Sequence, residues 1–247
     1  MSVHRAAKAF GGAAEVYDRV RPGYPPEAID WFGIEPGQTL IDLAAGTGKL
    51  TVRLLDTGAR VIAVEPSEGM LAVLRERAPG AEALAGTAEA IPLGDASADL
   101  VLVAQAFHWF ANDEALAEIH RVLRPGGTLG LVWNRRDLND PAHAALERAV
   151  DPWKGDTPRH RAGDWRAVID ASPLFELRAS EELPNDHELP PGGLVERAES
   201  ISFMAALPEE TRRRALAELR DFEERSPKPI VLPHVCELFA FGRYTRQ

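Results

Sequence analysis

The chain of 247 residues is long enough for one large α/β domain or two small ones, and its 45% hydrophobic and 27% charged residues are typical of a globular protein with a sizeable core. The formal net charge of −10 argues against a nucleic-acid-binding surface, because neutralising phosphates requires a concentrated basic face, although a local basic patch can escape such an average. The single cysteine, Cys236, excludes a disulfide framework, and with no signal-peptide-like start and no apolar stretch of bilayer-spanning length the sequence predicts a soluble, cytoplasmic protein without a membrane partner.

The N-terminal segment combines loop-forming residues with aromatic and basic side chains. Tyr17, Arg21 and Tyr24 lie there, and residues 22–25 read Pro-Gly-Tyr-Pro. Glycine and proline at this density predict a loop, which a short helix follows over residues 27–32. The segment is either a surface arm packed on the domain or a lid that covers a ligand, with the tyrosines and the arginine facing inward.

An apolar run that turns sharply into a helix is the most informative motif of the chain. Residues 39–43 read Thr-Leu-Ile-Asp-Leu, residues 44–48 read Ala-Ala-Gly-Thr-Gly, and helical spacing covers residues 50–55. The pattern predicts a buried strand, a tight turn and a helix. Small side chains let a ligand lie against the backbone of the turn, where the helix start offers N–H groups. Such a turn is typical of a nucleotide-cofactor site when further strands flank it.

Strands and helices alternate through residues 39–133. The predicted strands cover residues 39–43, 60–65, 82–85, 99–103 and 128–133, and the predicted helices cover residues 50–55, 68–77 and 112–123. Ser67 stands where its side chain would cap the second of these helices. The alternation predicts a parallel sheet with right-handed crossovers.

The pattern is looser beyond residue 134. It predicts a helix over residues 164–171, a strand over 175–183, a proline-rich connection over 185–193, a long charged helix over 208–225 and a last strand over 230–241. Pro233 restricts that last strand to an edge or a bulge, because proline cannot donate to a ladder. Residues 135–225 are expected to decorate a single domain, since they lack a strand set of their own.

The predicted strand ends carry side chains suited to bind a ligand. Glu65 ends the second strand, where a carboxylate can accept hydrogen bonds from both hydroxyls of a ribose. The loop of residues 86–93 follows the third strand, and residues 107–110, Phe-His-Trp-Phe, follow the fourth. Ligands of open parallel sheets lie outside these carboxyl ends, so the loops are expected to border one site.

On residues 42–48 and on Glu65, the chain resembles the class I S-adenosylmethionine-dependent methyltransferases. Residues 107–110, together with residues 22–25, 207–209 and 232–233, resemble the subgroup of methyltransferase type 11 and trans-aconitate methyltransferase-like proteins. The resemblance spans roughly the whole chain, least securely over residues 135–200. It implies a Rossmann-like α/β fold, with a seven-stranded, mostly parallel sheet, helices on both faces and a helical cap in the C-terminal half.

The resemblance also implies one methyltransferase domain, with an arm or lid over residues 1–36, a cofactor-binding core over residues 37–134, and the remaining strands with a helical substrate cap over residues 135–247. It implies methyl transfer from S-adenosyl-L-methionine, with S-adenosyl-L-homocysteine as product, to a small-molecule acceptor such as a carboxylate or a phenol. No metal and no nucleic-acid partner is expected, and the chain is expected to be a monomer or a homodimer.

The implied site residues fall into three sets. The cofactor-binding set is Tyr17, Arg21, Asp42, Ala44, Gly46, Thr47, Gly48, Glu65, Pro66, Met70, Thr87, Ala88, Glu89 and Gln105. The substrate-binding set is Tyr24, Phe107, His108, Trp109, Arg135 and Arg136, and the candidate catalytic residues are His108 and Tyr17. Ala44 stands where the family usually has glycine. Thr87 stands where it often has aspartate, so the backbone at Ala88 is the more dependable adenine contact.

Some of these roles have a structural alternative. His108 is either a general base, since imidazole titrates near neutrality, or a hydrogen-bonding side chain packed beside Trp109. Arg135 and Arg136 either clamp a substrate carboxylate, with help from Arg21, or form a basic surface pair.

Two other functional classes compete with this interpretation. A nicotinamide dehydrogenase shares the acidic strand end, but its fingerprint requires a glycine where Thr51 stands, and a pyrophosphate needs a closer backbone approach than Ala44 and Ala45 clearly permit. A protein that binds the methyl donor but has lost transfer would keep the same motif. An RNA methyltransferase is disfavoured by the acidic composition.

Overall fold

The computed structural model describes residues 19–155 and 164–244. Over these residues the chain forms two compact units. The sheet unit comprises residues 24–133, 164–183 and 236–244, and the helical unit comprises residues 19–23, 134–155 and 184–235. Each unit is discontinuous in sequence, because the chain leaves the sheet unit twice and returns to it twice.

Short connections join most of the elements. In chain order the elements are α1 (Pro26–Asp30), β1 (Thr39–Leu43), α2 (Lys49–Leu55), β2 (Arg60–Glu65), α3 (Glu68–Arg77), β3 (Glu82–Ala85), β4 (Ala98–Ala104), α4 (Asp113–Val122), β5 (Leu123–Arg136), α5 (Pro141–Val150), α6 (Asp164–Ala171), β6 (Phe175–Pro184), β7 (His187–Leu189), α7 (Gly193–Glu199), α8 (Ser202–Ala205), α9 (Glu209–Ala215), α10 (Ala217–Arg225), β8 (Ile230–Leu232) and β9 (His234–Arg243). Single 3-10 turns cover Phe107–Trp109 and Asp151–Trp153. Among the described residues, no helix combines the length and the apolar character needed to cross a bilayer.

The sheet unit is built on a seven-stranded sheet in the order β3-β2-β1-β4-β5-β9-β6. The pairs β1–β2, β2–β3, β1–β4 and β4–β5 are all parallel. This confirms the Rossmann-like α/β fold that the resemblance implies. Because β2 and β4 lie on opposite sides of β1, the strand order reverses at β1, and the carboxyl ends of these three strands border the crevice where such sheets bind ligands.

The first strand shows why the sheet is covered on both faces. All five residues of β1 are buried. Successive side chains of a strand point to opposite faces, so Leu40 and Ile41 enter different apolar clusters. Leu40 packs in the cluster that contains Leu50, whereas Ile41 packs in the cluster that contains Val103. The uninterrupted apolar run in the sequence is the expected signature of a strand that is covered twice.

Several predicted boundaries agree with the structure. β2, β3, α3 and α6 have the predicted bounds. The Ser67 hydroxyl accepts the N–H of Met70 at 3.5 Å, which confirms the predicted cap of α3. β5 begins at Leu123 rather than at residue 128, with an irregular register between Ala98 and Leu100. Residues 124–127, Arg-Pro-Gly-Gly, lie between the predicted helix and the predicted strand, and in the structure they form this irregular part of β5.

The helical unit contains a strand pair that the sequence pattern missed. β7 pairs antiparallel with β8, with Leu189 opposite Ile230. The prediction of a connection over residues 185–193 is therefore wrong at β7, whose partner β8 lies beyond residue 225. Leu189 and Ile230 are buried in an apolar cluster of this unit, so their burial stabilises a pair too short to show alternation.

The predicted last strand is two strands. β8 belongs to the two-stranded sheet, whereas β9 lies inside the seven-stranded sheet between β5 and β6. The prediction that Pro233 confines this strand to an edge or a bulge is therefore wrong for β9. Pro233 lies between β8 and β9, so its missing N–H falls at the break between two ladders.

The predicted long helix over residues 208–225 is also two helices. α9 and α10 are separated by Leu216, whose φ of −100° and ψ of 6° end the first helix. The Leu216 side chain is fully buried in the apolar cluster of the helical unit, two residues after the exposed Arg213 and Arg214. Burial of Leu216 explains this break between the two helices, since residues 209–225 contain no glycine or proline.

Candidate functional site

The turn after β1 is held in left-handed backbone conformations. Ala44, Gly46 and Gly48 have φ values of 57°, 59° and 82°. Glycine adopts this region without a steric cost, whereas Ala44 is strained. The N–H of Ala45 donates to the carbonyl of Val64 at 3.2 Å, which ties the turn to β2. The turn therefore presents its backbone at the carboxyl ends of β1 and β2.

The Glu65 carboxylate joins the two strand ends. Its Oε2 accepts the N–H of Gly46 at 2.8 Å, and its Oε1 accepts the N–H of Ser67 at 2.9 Å. Only 5% of Glu65 is exposed, and this burial raises the pKa of its carboxyl while the two backbone hydrogen bonds oppose the rise. A carboxylate can accept about four hydrogen bonds, so both oxygens keep acceptor capacity after these two.

Asp42 lies below the turn, in β1. It is 1% exposed, and the Thr51 hydroxyl of α2 donates to its Oδ2 at 2.6 Å. Burial raises the pKa of Asp42 to about 7, the Thr51 hydrogen bond opposes the rise, and the negative charge of Glu65 adds to it. Asp42 is therefore partly protonated at neutral pH, which the sequence gives no means of predicting.

Gln105 extends the site to the end of β4. Its φ is 60°, a left-handed value at which glutamine is strained, and its N–H donates to the carbonyl of Val132 at 2.8 Å. Its side-chain Nε2 is buried and finds no hydrogen-bond partner within the part of the chain that the structure describes. Since Leu102 of β4 pairs with Asp42 of β1, Gln105 and the glycine turn follow adjacent strand ends. Backbone strain and an unsatisfied amide together are typical of a ligand-binding position.

The loop over residues 86–93 is anchored by a charged pair on α4. Arg121 donates to the carbonyl oxygens of Ile91 and Leu93 at 3.1 and 2.8 Å, and Glu118 accepts the N–H of Ile91 at 2.9 Å. Arg121 and Glu118 also pair with each other at 2.7 Å. Sequence reasoning missed both as positioning residues. Their only signal is a charged pair at helical i,i+3 spacing, which also occurs on ordinary solvated helices.

The other predicted cofactor-binding residues of the sheet unit lie around these features. Thr47 and Ala88 are buried, and Pro66 is exposed. A Cβ built on Gly46 would lie 3.9 Å from Met70 Sδ, so Met70 packs against the turn. Thr87 and Ala90 bridge to form a tight turn, and Glu89 accepts a hydrogen bond from Asn112 at 3.3 Å. The structure thus gathers them at the strand ends, and their contacts with a ligand stay predictions.

The predicted substrate-binding residues divide by burial. The exposed fraction of Phe107 is 0%, and its ring packs edge-on to Phe110 and Trp165 at 5.7 and 6.3 Å. These contacts give Phe107 a role in packing, and its contact with a substrate stays a prediction. Tyr24 is 6% exposed and also belongs to an apolar cluster of the sheet unit. His108 lies beside Trp109 with ring centroids 5.2 Å apart, a geometry compatible with either of its predicted roles.

The arginines predicted to bind anions lie in the helical unit. Arg136 pairs with Glu147 at 2.8 Å, and both side chains are about four-fifths buried. Arg21 donates to the hydroxyl and the carbonyl of Ser200 at 3.3 and 3.4 Å. Glu147 therefore balances the charge of Arg136, and the anion-binding roles of Arg135 and Arg136 stay predictions. Tyr17 lies outside the described residues.

No metal-ligand set occurs in the described part of the chain, where no three His, Cys, Asp or Glu side chains are placed to hold an ion. Three histidines do come together in the helical unit. The rings of His143 and His187 lie 4.7 and 6.4 Å from that of His234. Burial lowers the pKa of His143 to about 4 and that of His234 to about 2, so both are neutral at pH 7 and belong to a buried polar cluster.

We expect Gly48→Ala to lower the free energy of unfolding by about 2–3 kcal/mol, because a left-handed alanine costs about 1–2 kcal/mol and the added methyl group is crowded. At φ 82°, its Cβ would lie 3.1 Å from Cγ of the buried Leu74. Gly37→Ala is the matched control, since Gly37 has φ 87° and no atom within 4 Å of such a Cβ. Denaturant titration of both variants separates strain from crowding. Equal losses would show that Leu74 does not restrict the turn.

A family model described as a methyltransferase domain matches residues 41–131. An uncharacterized methyltransferase from Mycobacterium tuberculosis (strain ATCC 25618 / H37Rv) is 40% identical over 231 residues, which cover 92% of this chain and 92% of that protein. The malonyl-[acyl-carrier protein] O-methyltransferase of Methylococcus capsulatus is 43% identical over 132 residues, which cover 49% of this chain and 48% of that protein.

The same architecture occurs among solved structures. One of them is a protein from Anaeromyxobacter dehalogenans that is assigned to the type II methyltransferases. It superimposes on this chain with a TM-score of 0.63 and 25% sequence identity, over 90% of this chain and 97% of that one. Since the M. tuberculosis relative matches over nearly its whole length, the family assignment covers both units of the chain.

Proposed function

The chain belongs to the class I S-adenosylmethionine-dependent methyltransferases, and from this membership we propose that it transfers the methyl group of S-adenosylmethionine to an oxygen of a small-molecule acceptor, a carboxylate or a phenol. Membership of the methyltransferase family argues against the alternative that the chain is a nicotinamide dehydrogenase. The acidic composition favours a small molecule over RNA. The proposal that the acceptor atom is oxygen draws on the O-methyltransferase name of the M. capsulatus relative.

The observation that carries the proposal is the Glu65 carboxylate. It is buried at the end of β2 and fixed by the N–H groups of Gly46 and Ser67. Its remaining acceptor capacity is matched to the two hydroxyls of a ribose, and the turn beside it carries no side chain larger than that of threonine over residues 44–48. These features fit the adenosine portion of the methyl donor. A non-catalytic donor-binding protein would share them, so the transfer itself needs a separate test.

When bound, the donor would supply a sulfonium methyl group: the acceptor oxygen would bond to the methyl carbon as the carbon–sulfur bond breaks, and S-adenosylhomocysteine would leave with the sulfur. Glu65 would hold the ribose, and Asp42 below the turn would attract the donor's cationic amino group through water. Gln105 has a buried Nε2 donor that an oxygen of the acceptor or the donor can satisfy. For a carboxylate acceptor no base is required, because the nucleophile is already ionised. For a phenol, His108 would take the proton.

Methyl transfer is tested by incubating the protein with isotopically labelled S-adenosylmethionine and a panel of small carboxylic acids and phenols, scored by product mass. We expect labelled methyl ester or methyl ether from at least one acceptor, and about a hundredfold less from a Glu65→Gln control at a donor concentration below the native dissociation constant. If the protein binds S-adenosylhomocysteine but labels no acceptor in the panel or in a metabolite extract, the transfer proposal is rejected in favour of a donor-binding protein.

We expect Arg135→Ala, alone or with Arg136→Ala, to raise the KM for an anionic acceptor about tenfold, because a guanidinium–carboxylate contact contributes about 1–3 kcal/mol. Donor affinity should not change. The double variant Arg213→Ala/Arg214→Ala removes two exposed charges that pair with Glu210 and serves as the control. Steady-state kinetics measure both. An unchanged acceptor KM in the Arg135 variant would reject the anion-binding role.

A further inference from the structure

The outer strand of the seven-stranded sheet has an exposed edge of unusual length. β6 is ten residues long and is the last strand in the sheet order, next to β9. Residues 176–182 are all exposed, and only Phe175 at the start of the strand is buried. Strands of globular proteins are usually about 5–6 residues long, and a long open edge is normally blunted or paired.

The usual devices that blunt an edge are only partly present here. The strand contains no lysine, and its single proline, Pro184, is its last residue. Four charged side chains remain, Glu176, Arg178, Glu181 and Glu182. Charges on an edge oppose pairing with arbitrary strands, but they favour a partner whose charges are complementary.

The charge pattern of β6 is complementary to itself. In an antiparallel pair of two β6 strands about a two-fold axis at Ser180, residues whose numbers sum to 360 stand opposite each other. Arg178 then faces Glu182 of the second copy, twice by symmetry, and Leu177 faces Leu183, also twice. Ala179 faces Glu181, so no carboxylate faces another.

Neighbouring registers lose this match. In a two-fold symmetric pair, directly opposed residues must point to the same face of the sheet. The sum of their residue numbers is therefore even, and the neighbouring registers have sums of 358 and 362. At a sum of 358, Glu176 would face Glu182, and at 362, Glu181 would face itself. Like charges directly opposed are destabilising, so one register is favoured over both neighbours.

The side chains needed for this register are accessible in the single chain. Leu177 is 38% exposed, and Leu183 is half-buried. The Arg178 guanidinium lies over Gly242 of β9, and within residues 19–155 and 164–244 no carboxylate pairs with it. A long exposed cation that has no counter-ion among these residues can turn toward an incoming carboxylate at little conformational cost.

We propose that the chain forms a two-fold symmetric homodimer in which the β6 strands of two copies pair antiparallel about Ser180 and join the two sheets into one. The partner is a second copy of this chain, and the recognition elements are the reciprocal Arg178–Glu182 pairs and the reciprocal Leu177–Leu183 contacts. This inference is independent of methyl transfer and of acceptor identity.

The oligomeric state tests the proposal, measured by sedimentation velocity and light scattering over a range of protein concentrations. We expect the full-length protein to have twice the mass of one chain at high concentration and to dissociate on dilution. Arg178→Glu places two carboxylates opposite each other, twice, and should raise the dimer dissociation constant about tenfold or more. All the substituted side chains are exposed, so the fold should be retained.

Charge reversal gives the decisive comparison. Adding Glu182→Arg to Arg178→Glu restores the opposite-charge pairs and should restore the dimer, whereas adding Glu181→Arg should not. Arg225→Glu makes the same charge change on the exposed end of α10 and should leave the dimer unchanged. A protein that stays monomeric throughout, a dimer indifferent to Arg178→Glu, or equal rescue by Glu181→Arg would each overturn the proposal.

Discussion

Replacing Glu65 with glutamine is expected to weaken binding of S-adenosylhomocysteine about a hundredfold, since each hydrogen bond to a charged group contributes about 1.5–3 kcal/mol and two to the ribose would be weakened or lost. The substitution acts on the protein as well. Both carboxylate oxygens accept backbone N–H groups, at 2.8 and 2.9 Å, and an amide –NH2 cannot accept from either donor. One buried N–H is therefore left opposed to a donor, which should also lower the free energy of unfolding by about 1–3 kcal/mol.

Glu82→Gln is the matched control for this substitution. Glu82 begins the neighbouring strand β3, pairs with Arg60 at 2.6 Å and is exposed, so its loss should alter neither donor affinity nor stability by more than about 1 kcal/mol. Isothermal titration gives the affinities, and denaturant titration gives the stabilities. A Glu65→Gln variant that binds the ligand as tightly as the native protein would remove Glu65 from the donor site.

Asp42→Asn is expected to abolish a pH dependence of donor binding that the native protein shows near neutrality. The pKa of Asp42 is raised from 3.8 to about 7 in the ligand-free protein, chiefly by burial. A bound cationic amino group favours the ionised carboxyl, so binding releases a proton below pH 7. Affinity should therefore rise with pH and level off above about pH 8, and it should be about tenfold lower at pH 6 than on the plateau.

The same shift has a consequence for stability, with the sign opposite to that of an ordinary salt-bridged aspartate. A carboxyl whose pKa is higher in the folded state than in the unfolded state contributes stability that is fully present below pH 3.8 and is lost as the pH rises through about 7. The asparagine side-chain oxygen can still accept a hydrogen bond from the Thr51 hydroxyl, so the Asp42→Asn protein should fold. Its stability should not show this fall with rising pH.

Calorimetric titration of S-adenosylhomocysteine from pH 5.5 to 8.5 compares the native and Asp42→Asn proteins, with affinities at pH 6 and 8 expected to agree within about twofold in the variant. A pH dependence that remains at the acidic end belongs to Glu65, whose pKa is also raised by burial. An unchanged native-like profile in the variant would show that Asp42 does not couple to the donor.

The sheet could be predicted because each of its strands carries a local signal. β1, β2 and β4 are apolar runs of strand length, and small residues directly follow the first of them. Glu65 could be placed because it directly ends such a run. The neighbours that fix its carboxylate, Gly46 and Ser67, follow from the meeting of two strand ends.

Other features arise only from tertiary contacts, so no local pattern predicts them. The break at Leu216 reflects burial of one side chain within an otherwise helical pattern, and Pro233 marks a boundary between two sheets rather than an edge. The strain at Gln105 and the titration of Asp42 depend on what surrounds them in the folded chain. Arg121 and Glu118 hold the loop at Ile91 although they lie about thirty residues away in sequence.

The central claim is that the turn after β1 and the Glu65 carboxylate hold the adenosine portion of the methyl donor. Titration calorimetry of S-adenosylhomocysteine into the folded, full-length protein tests it most directly, with NAD titrated in parallel. We expect saturable binding of one S-adenosylhomocysteine per chain, no heat from NAD, and about hundredfold weaker binding in Glu65→Gln but not in Glu82→Gln. Absence of heat with S-adenosylhomocysteine, in a sample whose cooperative unfolding shows that it is folded, would contradict the claim.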